Sequence, residues 1–65
     1  MSLVDFITAE RMKKAKELLS TTDRSIRDIA LAVGYSNISY FSRQFKRSQG
    51  KTPLEFRRSV NQNPE

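Results

Sequence analysis

A glycine at position 34 divides the chain into two helical patterns that cross where it stands. Before it, Ile26, Ile29, Ala30 and Val33 recur at helical spacing and make one apolar face, with Ser25 ahead of them as a capping residue. Glycine stops a helix and supplies the permissive backbone of a tight turn, which Tyr35-Ser36 completes. After it, Asn37 caps a segment reading Asn-Ile-Ser-Tyr-Phe-Ser-Arg-Gln-Phe-Lys-Arg-Ser-Gln, closed by Gly50. At about 100° per residue, Phe41, Phe45 and Ser48 share one face of that segment, and Ser39, Arg43, Lys46 and Arg47 share the opposite one. The first face needs a core. The second is basic with short polar groups among the charges, and suits an anion with readable edges. Ala30 is small enough for two helices to approach, and Ile29, Val33 and Tyr35 fix their crossing. The pattern predicts a helix-turn-helix, with a turn about one residue longer than the shortest form because Phe41 and Phe45 come late.

The rest of the chain frames that unit. Ser2 and Asp5 start a helix over about 3–20 in capping-box fashion, and Met12, Ala15 and Leu19 form its apolar stripe, flanked by Leu18 and Val4. Glu10 and Lys14 stand at the favourable i,i+4 spacing. Phe6 projects away from the stripe; with Leu3 and Ile7 it offers a route for self-association or for another partner of this first helix. Ser25 and Asp28 make a second box-like pair, so the helix-turn-helix runs over about 25–49. Thr52-Pro53-Leu54-Glu55 opens a short helix over about 53–60, with a threonine cap, proline at the first position and glutamate at the third. Residues 61–65 have nothing to bury and are expected to fray. The prediction is an all-α, homeodomain-like bundle of about four helices in a single domain over 1–65.

Composition removes whole classes of function. The 65 residues include no cysteine and no histidine, which excludes disulfides, thiol nucleophiles, imidazole acid–base chemistry and the usual zinc ligands. The carboxylates are scattered without a dyad, and there is no glycine-rich phosphate loop, so neither an enzyme nor a cofactor is expected. No apolar run approaches the roughly 20 residues of a membrane span, and no signal peptide is visible. Net charge is +5, and it is unevenly placed. Arg43, Lys46, Arg47, Lys51, Arg57 and Arg58 face one acid, Glu55, over 43–58, whereas six basic and five acidic residues nearly cancel over 1–42. That asymmetry points to nucleic acid first and an anionic membrane second. A membrane-surface helix would need a large apolar face without tertiary partners, and Phe41 and Phe45 have Ile29 and Val33 to meet. Lys46, Arg47 and Lys51 fit phosphate contacts, as do the free N–H groups at the start of the last helix around Thr52, although Glu55 competes for those donors. Ser25 and Arg27 are placed to touch phosphate if the second helix lies across a DNA backbone. Tyr40 has two readings, packing over the second helix or bonding a phosphate.

Three blocks carry a family resemblance. Ser25-Ile26-x-x-Ile29-Ala30-x-x-Val33-Gly34-Tyr35-Ser36, then Ser39-Tyr40-Phe41-Ser42-Arg43-x-Phe45-Lys46, then Gly50-x-Thr52-Pro53-x-x-Phe56-Arg57 resemble the AraC/XylS family of bacterial transcription regulators. Arg11-x-x-x-Ala15-x-x-Leu18-Leu19 is similar to the helix that links that family's two helix-turn-helix units. The resemblance covers roughly residues 6–58. It implies the second unit with the linker helix before it, in a cytoplasmic protein whose first unit and effector or receiver domain lie outside this chain. It also implies that the first turn and outer face of the 37–49 helix enter the major groove of double-stranded DNA. The base readers would then be Ile38, Ser39, Ser42 and Arg43. Arg43 leads, because a guanidinium can bridge guanine O6 and N7. Ile38 remains divided between the core and a thymine methyl. The other class of function is a protein-interaction module that contacts RNA polymerase or a partner regulator. Its hot spots would favour aromatic and apolar anchors, whereas the outer face here is serine, arginine and lysine.

Overall fold

In a computed structural model, residues 2–61 are described and fold into four α-helices: α1 (Leu3–Thr21), α2 (Ile26–Ala32), α3 (Ile38–Gln49) and α4 (Pro53–Asn61). Each start is a capping event that the sequence announces. Asp5 N–H donates to Ser2 Oγ at 3.1 Å while Ser2 N–H reaches Asp5 Oδ2 at 3.4 Å, a complete capping box. Ser25 Oγ accepts from Asp28 N–H at 3.0 Å, and Asn37 Oδ1 from Tyr40 N–H at 2.9 Å. The return bond expected from Asp28 is not made, so Ser25 acts as a simple cap. Thr52 and Glu55 form the second complete box, Thr52 N–H donating to Glu55 Oε1 at 2.8 Å and Glu55 N–H to Thr52 Oγ1 at 3.1 Å. Asn61 is the last residue of α4; the remainder of the expected frayed tail, 62–65, lies outside the described residues.

The turn between α2 and α3 is a Schellman cap built on Gly34. Gly34 N–H bonds Leu31 O at 3.1 Å and Tyr35 N–H bonds Ala30 O at 2.9 Å, with Gly34 at φ +103°. Arg11 from α1 closes over this turn. A Cβ added to Gly34 would sit 3.3 Å from the Arg11 guanidinium, and that guanidinium lies 5.2 Å from the centre of the Tyr35 ring.

The core is drawn from all four helices. Met12, Ala15 and Leu19 of α1 meet Ile29 and Ala30 of α2, Val33 and Tyr35 of the turn, and Phe41 and Phe45 of α3. Pro53 at the start of α4 is buried too, and Phe56 closes the far side, its ring edge-on to Phe45 at 5.6 Å. An aromatic chain runs through the centre, Tyr40 to Tyr35 at 5.9 Å, Tyr35 to Phe41 at 5.3 Å and Phe41 to Phe45 at 6.0 Å. So the face of α3 that needed a core has one.

Four expectations change. Val4 does not extend the α1 stripe: it is 70% exposed, because the first turns of α1 run past the bundle, which is why the molecule measures 41 × 23 × 17 Å. Leu3, Phe6 and Ile7 are exposed on the same stretch. Ser48, placed by periodicity with Phe41 and Phe45, is exposed and lines an open groove between α3 and the start of α1. Lys14 turns to Glu17 at 3.4 Å instead of Glu10, a solvent-exposed pair that contributes little. Arg57, counted with the basic surface, is half-buried and spends its guanidinium on the fold: Nη1 donates to Arg24 O at 2.6 Å, Nη2 to Thr22 O at 3.0 Å and Nε to Leu19 O at 3.3 Å. It ties α4 to the end of α1 and the loop after it.

Candidate nucleic-acid interface

The outer face of α3 is a strip of hydrogen-bond donors on a rigid support. Phe41 and Phe45 are fully buried, and this pins the rotation of the helix about its own axis. With that rotation set, Arg43 stands at the centre of the outward face. Ser39 and Lys46 lie roughly 40–60° to one side of it, Tyr40 and Arg47 about the same to the other. Ser39, Arg43, Lys46 and Arg47 are all exposed, and Ser42 is half-buried at the margin. Among the described residues none of these cations is in an ion pair, so their charge is available to a ligand. Lys46 and Arg47 also lie in the last turn of α3, where the negative end of the helix dipole favours them.

Ile38 goes largely to the core. Its side chain is half-buried against the central cluster, as its azimuth suggested, so less of it remains to meet a base. The expected phosphate contacts fall in three places. Ser25 and Arg27 are exposed at the start of α2, where Ser25 Oγ accepts the Asp28 N–H and keeps its own proton to donate. Lys51 is half-buried in the connection between α3 and α4. Thr52 is half-buried at the start of α4, but its N–H and its hydroxyl oxygen are both engaged by Glu55. Bonds from the Thr52 backbone and side chain, with smaller help from Lys46 and Lys51, hold the Glu55 carboxyl below the ordinary 4.5. An anion of the chain's own therefore sits at that helix start.

Two more residues border the site: Tyr40, which the sequence left between core and phosphate, and Gln44, which it did not single out. Tyr40 is 46% exposed, with its ring against Tyr35 and its hydroxyl accepting from Gln44 Nε2 at 2.8 Å. Tyr40, Arg43, Gln44 and Arg47 line a shallow cavity of about 290 Å³ on this face. Their i, i+3, i+4, i+7 spacing was the available signal, masked because an aromatic residue beside Phe41 reads as core. Elsewhere among the described residues no cluster of acidic side chains is arranged to hold a metal ion, and no helix is long and apolar enough to cross a membrane.

Known proteins resemble this chain in sequence and fold. A family model described as a helix-turn-helix domain matches residues 1–59. The chain is 42% identical over 57 residues to the bifunctional transcriptional activator/DNA repair enzyme AdaA of Bacillus subtilis, covering 88% of this chain and 27% of that protein. It is 36% identical over 63 residues to the Msm operon regulatory protein of Streptococcus mutans, covering 97% of this chain and 23% of that protein. The chain thus spans about a quarter of the length of these relatives. Among solved structures, the C-terminal domain of AraT, a response regulator from Geobacillus stearothermophilus, superposes with a TM-score of 0.89 at 42% identity, over 91% of this chain and 49% of that one. The C-terminal domain of the two-component response regulator yesN from Fusobacterium nucleatum gives 0.87 at 37% identity, over 88% and 55%. By the matched model, the relatives and the shared fold, this chain belongs to the AraC/XylS-type helix-turn-helix family, the DNA-binding domains of transcription regulators.

Proposed function

We propose that this domain binds double-stranded DNA sequence-specifically, with α3 in the major groove, and that it serves a bacterial, cytoplasmic regulator of transcription. One observation carries the reading: the buried Phe41/Phe45 face of α3 fixes an opposite face of exposed serine, arginine and lysine, and none of its cations is paired within the described residues. The relatives' names, an activator and an operon regulatory protein, support the biological role. Arg43, central on that face, reads a base edge, preferentially guanine O6 and N7. Ser39 and Ser42 add hydroxyls of weaker preference, and Ile38 adds the apolar edge left outside the core. Lys46, Arg47 and Lys51 hold phosphates with charge, Arg27 from the start of α2 with them. Ser25 and Thr52 contribute hydroxyl protons there.

The remaining length of the parent protein is taken to hold a first helix-turn-helix unit and an effector or receiver domain, in keeping with the solved neighbours, which are C-terminal domains of response regulators. The exposed apolar start of α1 suits that unit or a second copy of this chain. The charged outer face of α3 favours DNA over a protein such as RNA polymerase as its own ligand.

Fluorescence anisotropy tests the reading. A mixed-sequence duplex titrated at several salt concentrations should bind with an affinity that falls linearly in log salt, with a slope of a few phosphates. On a site selected from random sequence, Arg43→Ala should lose about 1–3 kcal/mol of discrimination at one base pair, while Lys46→Ala should weaken all sequences alike. No binding even at low salt would overturn it.

A further inference from the structure

The two flanks of α3 are not alike. An α-helix with its side chains is about 10–12 Å across and the major groove about 12 Å wide, so a helix seated with Arg43 inward meets a phosphate strand on each side. On the Ser39 side the flank offers one cation, Lys46. On the other side it offers Arg47 and, nearly two turns earlier, the phenol of Tyr40, which Gln44 bonds. The cavity they share with Arg43 has no acidic residue in its lining. Asp5 lines the adjoining groove with Arg47, but its carboxylate already accepts the Ser2 N–H as part of the α1 cap.

The hydrogen-bond direction at Tyr40 decides what the phenol does. Gln44 Nε2 donates into the hydroxyl oxygen at 2.8 Å, so one lone pair is used and the phenolic proton is free. Donation into the oxygen also polarises the O–H bond and strengthens it as a donor. The ring is held by Tyr35, itself under the Arg11 guanidinium, so the hydroxyl is presented on a fixed lever at the edge of the outer face. A neutral donor and a guanidinium about 10 Å apart along one helix edge suit the successive oxyanions of a phosphate strand.

We propose that Tyr40, oriented by Gln44 and paired with Arg47, is a phosphate-binding wall of α3, its phenolic O–H donating to a non-bridging oxygen of the DNA backbone. The proposal rests on the major-groove reading above and deepens it. It makes Tyr40 a ligand-contacting residue and Gln44 its positioning residue.

The test is the same titration with Tyr40→Phe, Gln44→Leu and Arg47→Ala, with thermal melts alongside. Tyr40→Phe keeps the ring on Tyr35 and should melt with the parent. It should lower affinity for every duplex by about tenfold to a hundredfold, the loss of one hydrogen bond to a charged oxygen. Because no charge is removed, its log-log salt slope should equal the parent's, whereas Arg47→Ala should reduce the slope by about one. Gln44→Leu should lower affinity in the parent but not when Tyr40 is already Phe. Tyr40→Phe binding as tightly as the parent overturns the proposal, as does a loss confined to one base pair. A parent that binds no duplex overturns the groove reading itself, so the two failures are told apart.

Discussion

Glu55 stabilises the start of α4 as an anion, and that makes part of the stability acid-sensitive. Its carboxylate accepts the Thr52 N–H, and its native pKa lies below the ordinary 4.5. A carboxyl depressed in the native state contributes stability that is fully present above the ordinary value and is lost as pH falls through the native one. Thermal melts should therefore show Glu55→Gln less stable than the parent near pH 7, with the gap closing below 4.5. An unchanged gap at about pH 2 would contradict this assignment. The Thr-Pro-x-Glu pattern made the cap legible, because capping is local and needs only the chain's own neighbours. Arg57 and Tyr40 were harder. A count of charges cannot tell an arginine on the surface from one spent on three carbonyls, since those carbonyls lie 33 to 38 residues away. Tyr40 was equally open, because an aromatic side chain next to Phe41 fits either a core or an edge until the helix's rotation is fixed.

At the level of elements, the two glycines separate two kinds of cost. Both carry positive φ, +103° at Gly34 and +84° at Gly50, but only Gly34 is also crowded, by Arg11 at 3.3 Å, while nothing lies within 4 Å of a Cβ at Gly50. Gly50→Ala should cost about 1 kcal/mol for backbone strain alone. Gly34→Ala should cost more, about 2–3 kcal/mol, because the strain is joined by displacement of Arg11 from Tyr35. Denaturant melts of the two variants would check the order, and equal costs would mean the Arg11 contact gives way freely. All four helices were legible, since each has a capping residue and a period. Their faces were legible only where another element lies opposite. Val4 and Ser48 sit at azimuths that look apolar or inward, but the start of α1 overshoots the bundle and leaves both uncovered. Azimuth follows from sequence locally; coverage depends on helix packing, which does not.

For the molecule as a whole, one helix-turn-helix unit on a nine-residue buried core presents a small contact surface to DNA. At physiological salt, equilibrium titration should give a Kd of roughly 1 μM or weaker, the regime of largely non-specific binding. A nanomolar value would show that a single unit suffices. Useful affinity is expected when a second unit occupies the next groove face, where linkage raises the effective concentration. The class of partner was legible from charge asymmetry, even though Arg57 turned out not to belong to the binding surface. The Arg57 bonds have a last consequence, for the order in which the chain matures. They run from the final helix back to the end of the first. A nascent chain emerging from the ribosome can cap and extend α1, α2 and α3 as each appears, but the loop after α1 has only its local Thr22 bonds until residue 57 has emerged. Closure is then a late, long-range event, reached only when nearly the whole domain has been synthesised.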